Sequence, residues 1–162
     1  MCSDFDVTNA VSRLRYAYAF LIDKPFNMKT QATLELSDVQ AIAAAAQAEA
    51  QKNNWAVSIA VVDAGGHLLH FQRLDGAPPV SSHIAPAKAN TAALGQRESK
   101  VYEDVINGGR YSFLSAPTIE GMLEGGVPIM KDGACLGAVG VSGVKSPEDA
   151  QIAKAGIAAI GL

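Results

Sequence analysis

Residues 55–79 read WAVSIAVVDAGGHLLHFQRLDGAPP, and this stretch decides the fold class. Trp55 to Asp63 is apolar and β-branched, Ala64-Gly65-Gly66 supplies a turn, and His67 to Leu74 continues with alternating character. The pair therefore predicts a β-hairpin, ended by Asp75-Gly76-Ala77-Pro78-Pro79. A second hairpin is predicted downstream, where Val127–Met130 and Ala134–Val141 flank Lys131-Asp132-Gly133. Asp-Gly suits a turn whose two central residues both take positive φ. Two hairpins give an antiparallel sheet and exclude a doubly wound nucleotide-binding sheet.

Helices fill the intervals. Ser37-Asp38-Val39-Gln40 fits a capping box, and Val39, Ile42, Ala43, Ala46 and Ala50 form a small-residue stripe that permits close approach to a sheet. Ser81 or Ser82 is placed to cap a helix running to about Gly95, with Pro86 in its first turn. A short helix over Glu98–Ile106 closes at Asn107-Gly108-Gly109, and an irregular stretch follows. Ser146-Pro147-Glu148-Asp149 starts a last helix with body Ala150–Ile160. The expected architecture is α+β, an antiparallel sheet from two β-hairpins with helices on both faces, in a three-layer arrangement.

A chain of 162 residues, 49% apolar, suits one domain with one sizeable core. With 18% charged residues and a net charge of -3 it offers no electrostatic platform for nucleic acid. Apolar runs such as Ala56–Val62 fall far short of the roughly 20 residues that span a bilayer, so no membrane partner is expected. The beginning, MCSDFDVTNA, is acidic where a signal peptide is basic, which leads to the expectation of a cytoplasmic protein. Pro25-Phe26-Asn27 interrupts the pattern, so residues 1–27 read as a helical extension ahead of a domain over residues 28–162. In that extension Val7, Val11, Leu14, Tyr18 and Leu21 share one helical face suited to a neighbouring subunit. Cys2 and Cys135 have neither metal-type spacing nor an obvious disulfide partner.

Several short patterns occur in a fixed order: VVDAGGHLL at residues 61–69, RLDGA at 73–77, KANTA at 88–92, GGVP at 125–128 and GAVGVSG at 137–143, just ahead of the acidic helix start. Their succession resembles the GlcG/HbpS-like family, which also includes the C-terminal domain of PduO, over about residues 33–161. The resemblance implies a profilin- or PAS-like fold, a homo-oligomer with octamers among the known assemblies, and haem or a related tetrapyrrole as ligand. In PduO-like members a histidine of the first helix is implicated as haem ligand, whereas residues 37–52 here hold no histidine.

The chain's three histidines are therefore the candidates: His67, His70 and His83. On a regular strand, residues three apart face opposite sides, so His67 and His70 do not make a joint site. His67 follows the Gly-Gly turn, where stabilising the turn competes with ligation. His83 sits in a first helical turn whose dipole favours the neutral imidazole, as base or ligand. Asp63 is placed to cap the turn through backbone N–H groups, with general-base catalysis as the sharper reading. Arg73 is suited to grip a carboxylate or haem propionate, or to make a local ion pair with Asp75. In the family's pattern Lys88 is a donor to an acidic ligand, and otherwise a surface charge.

Gly125 and Gly126, ahead of Val127 and Pro128, let a backbone approach a bound group or simply enter a strand tightly. The small residues of GAVGVSG leave room for a helix, a subunit or a flat ligand. Glu120 and Glu124 share a face if that segment is helical.

Two functions follow. The first is small-ligand binding, with haem as the ligand that the resemblance implies. The alternative is an enzyme of small-molecule catabolism, in which His83 or Asp63 moves a proton while Arg73 and the Gly125-Gly126 backbone hold an acidic substrate.

Overall fold

The computed structural model describes residues 28–162, so the helical reading of residues 1–27 lies outside the described residues. Ala32–Leu162 forms a compact unit. Its elements in order are α1 (Leu36–Lys52), β1 (Ser58–Asp63), β2 (Leu68–Arg73), α2 (Ser81–Gly95), α3 (Lys100–Asn107), a short 3-10 helix (Tyr111–Ser115), β3 (Gly126–Lys131), β4 (Ala134–Ser142) and α4 (Ser146–Ala158). Both predicted hairpins form, and Asp132 and Gly133 at the second turn take φ of 50° and 79°. The irregular stretch contains the 3-10 helix, for which no sequence signal was found.

The four strands lie in the order β2-β1-β4-β3, all antiparallel, because β1 joins the two hairpins by pairing with β4 from Ser58↔Ser142 to Asp63↔Gly137. Alternation along β1 then fixes the layers. Ile59 and Val61 point into a core built with Val39, Ile42 and Ala46 of α1 and Ile152 and Ala153 of α4. Ala60 and Val62 meet Ala85, Ala89 and Ala92 of α2 on the other face. The expected three layers are therefore present.

Glycine explains how closely the α2 layer approaches. A Cβ on Gly140 would collide with the backbone of Ala85 and Ala89, so the room left by GAVGVSG is taken by α2 and not by a ligand. The pairing of β2 with β1 carries a bulge: Val61 opposes His70 and Val62 opposes Leu68, which leaves Leu69 unmatched.

Helix starts differ from expectation by one or two residues. α1 begins at Leu36 with Glu35 as cap, and the Asp38 carboxylate accepts the Glu35 N–H at 2.9 Å, so the reciprocal pair is Glu35 and Asp38. Ser81 does not cap α2: its hydroxyl bonds the Pro78 carbonyl at 2.6 Å and the Ser58 hydroxyl at 2.7 Å, tying the helix start to β1. Pro86 stands in the second turn of α2, where its ring removes the hydrogen bond that Ser82 O would accept.

Candidate functional site

The first turn brings together two of the predicted residues. Asp63 Oδ1 accepts the backbone N–H of Gly65 at 2.8 Å and of His67 at 2.9 Å, which is the capping role expected of it. The same carboxylate lies 3.1 Å from His67 Nδ1. Partial burial pushes the Asp63 carboxyl up, but the hydrogen bonds from His67 and Gly65, with the imidazole alongside, outweigh it and hold the group below the ordinary carboxylate range. A carboxylate facing Nδ1 keeps the imidazole proton on that nitrogen and leaves the Nε2 lone pair directed outward. The His67 side chain is 81% exposed.

Beside this turn lies an open cavity of about 380 Å³ between the first hairpin and α2. Gly66 and Leu68, on either side of His67, line it together with Val62, Ala87, Asn90 and Glu120. Asn90 Nδ2 donates to Gly66 O at 3.4 Å, fastening the turn to the helix. Thr118, which also lines the cavity, has φ of 67°. A β-branched residue in the left-handed region is an outlier of the kind that clusters at binding sites. Helical spacing sets His83, Ala87, Asn90 and Leu94 on one stripe of α2, and Leu68 and Phe71 on β2 are exposed large apolar side chains. Leu68 and Phe71 leave an apolar surface on this side of the hairpin and His83 is exposed along the helix, whereas His67, one residue before Leu68, pairs with Asp63 and is not among the residues that line the cavity.

The other predicted residues fall elsewhere. His70 opposes Val61 and so faces the α1 side, where its Nε2 is shielded from solvent and has no hydrogen-bond partner among the described residues. Arg73 lines a different cavity with Trp55 and Asp75, whose walls include neither His83, Asp63 nor the glycine pair. The arrangement needed for proton transfer to an acidic substrate is therefore not assembled.

Lys88 is not a surface charge. It is 3% exposed, its Nζ lies 2.9 Å from Asp149 Oδ2 and 3.0 Å from Val141 O, and Asp149 is 2% exposed. Gly125, with φ of 123°, and Gly126 are buried because the chain passes against this pair: a Cβ on Gly125 would meet Lys88 Nζ and Asp149, and one on Gly126 would meet Lys88 O. Val127 belongs to the main core. The close approach expected at the glycines is thus to an internal ion pair. Asp149 was not singled out from the sequence, because its position in a helix's first turn already explained it.

Glu120 is exposed and also borders a second cavity, near Leu114 and Met122. Glu120 and Glu124 lie outside any described helix, so the shared helical face does not form. Cys135 is buried, and burial pushes its thiol pKa up, which keeps it inert. Among the described residues no group of three His, Cys, Asp or Glu is arranged to hold a metal ion, and no helix is long and apolar enough to cross a membrane.

The model of the family described as haem degrading protein HbpS-like matches residues 34–158. Protein GlcG of Escherichia coli strain K12 is 55% identical over 115 residues, covering 71% of this chain and 85% of GlcG. The crystal structure of HbpS superposes with a TM-score of 0.78 at 31% identity, over 86% of this chain and 98% of that one. The crystal structure of a PduOC complex with haem superposes with a TM-score of 0.72 at 32% identity, over 79% of this chain and 95% of that one.

Proposed function

Because the chain belongs to the HbpS-like family, we propose that it binds haem or a related tetrapyrrole at the first hairpin, with His67 as the residue that would hold its iron. The carrying observation is the Asp63–His67 pair, 3.1 Å apart, with the imidazole 81% exposed. A metal-binding imidazole is typically oriented by a carboxylate on its second nitrogen, which fixes the tautomer and strengthens the donor. The first helix of this chain has no histidine to offer, and His70 is shielded. Leu68 and Phe71 give a flat apolar ligand a surface that otherwise faces water. Haem, when bound, would supply an iron that an imidazole nitrogen would hold. His67 would provide that nitrogen and Asp63 would position His67. The PduOC complex gives the ligand its precedent in a relative of the same fold.

A haemin titration followed by absorbance tests this reading. The parent gives a saturable, shifted Soret band, His67→Ala loses the shift, and His83→Ala and His70→Ala keep it. A shift that survives in His67→Ala and disappears in His83→Ala assigns the ligand to α2 instead. No saturable change in the parent overturns haem binding itself.

A further inference from the structure

The cavity lined by Arg73, Trp55 and Asp75, of about 500 Å³, lies away from the Asp63–His67 turn, where the end of α1 meets the entry to β1 and the exit from β2. Its volume is within the range of small-molecule sites, about 300–1,000 Å³. Three observations describe its lining. It is lined by one cation and one anion, Arg73 and Asp75, and none of the ion pairs among the described residues includes either of them. Three carboxamides, Gln47, Gln51 and Asn54, face the same space, giving donors and acceptors of both kinds. Half-buried Trp55, with Ala56 and Leu74, forms an apolar wall.

We propose that this cavity binds a small zwitterion of the α-amino-acid class. Arg73 takes the carboxylate, because a guanidinium presents two parallel N–H donors to two carboxylate oxygens. Asp75 takes the ammonium group. A simple carboxylate satisfies Arg73 but leaves Asp75 repelling it, and a simple amine does the reverse. Only a ligand with both charges meets both groups. Trp55 and Leu74 then receive an apolar side chain, and the carboxamides a polar one. The proposal is independent of the haem reading, since neither Asp63 nor His67 lines this cavity.

The chain's single tryptophan is Trp55, so intrinsic indole fluorescence reads this cavity alone. The test is a fluorescence titration of the haem-free full chain with each proteinogenic amino acid other than tryptophan. Every amino acid that responds is compared with its N-acetyl and its carboxamide derivative. The expected result is a saturable change with one or more free amino acids, lost with both derivatives. Loss of hydrogen bonds to a charged group predicts a Kd raised at least about tenfold in Arg73→Gln and in Asp75→Asn. Lys131→Gln makes the same change of charge at an exposed turn remote from the cavity and titrates like the parent. Matching far-ultraviolet circular dichroism and melting curves establish that the variants fold. No saturable change with any amino acid overturns the site, as does an Arg73→Gln variant that titrates like the parent. Equal response to the N-acetyl derivative overturns the zwitterion and leaves an anion site.

Discussion

Lys88 and Asp149 are the most consequential side chains outside the first hairpin, because each neutralises the other where water does not reach. Removing one partner strands a buried charge, so Lys88→Met should cost about 3–5 kcal/mol in urea unfolding, with much of the loss recovered in Lys88→Met combined with Asp149→Leu. Asp149 and Asp63 respond to pH in opposite directions. Burial pushes Asp149 above its ordinary 3.8, more than Lys88 and the Val144 N–H draw it down. Its contribution to stability is thus full below 3.8 and declines as pH rises through the folded value. Asp63 is held below 3.8, so its contribution is present above that value and disappears as pH falls through the folded one. Asp63→Asn should therefore flatten the acid limb of the stability curve, and Asp149→Asn should remove a loss on the way to neutrality. Urea midpoints across the acid range check both. The cap at Asp63 was legible from the sequence, since the turn and its acceptor are neighbours. The Lys88–Asp149 pair was not, because its members are far apart in the chain and each had a sufficient local explanation.

At the level of elements, two glycines separate packing from conformation. Gly140→Ala drives a methyl group into the backbone of α2, and overpacking of this kind should cost about 1–3 kcal/mol. Gly133→Ala meets nothing within 4 Å but must hold φ of 79°, so about 1–2 kcal/mol is expected from backbone strain alone. Thermal melts of the two variants test whether α2 is pressed onto the sheet. Both hairpins were legible because turn chemistry and strand alternation are local signals. Helix starts moved by a residue or two, since Glu35 and Asp38 satisfy the same pairing rule that Ser37 appeared to offer. Pairing of β1 with β4 left no mark in either strand, so the strand order had to come from the structure.

On the scale of the whole molecule, α1 and α4 share one face of the sheet and α2 takes the other; the sequence anticipated helices on both faces but not which helix takes which. Ala32–Leu162 forms a unit by its own contacts, so a chain starting at Met28 should unfold cooperatively with Tm changed by less than about 2 °C, which corresponds to under about 1 kcal/mol. Light scattering on the same truncated chain tests the assembly role expected of residues 1–27, and an unchanged mass removes it. The Asp63–His67 turn was legible inside the GGHL motif, but the cavity beside it was not, because its wall from α2 and residues 118–120 follows from tertiary packing.

The bulge at Leu69 carries a lesson for comparing relatives. It is one additional letter in β2, yet it reverses the facing of everything on one side of it, so that Leu68 and His70 point to opposite layers although they are two residues apart. The parity rule that separated His67 from His70 assumed a strand without it. In an aligned relative, a single gap at this position would exchange the cavity's lining from β2 for the residues now beneath α1. Two chains that share most of their letters through this hairpin but differ in this bulge thus offer a ligand different surfaces, which makes the length of β2 a stronger marker of shared binding than percentage identity.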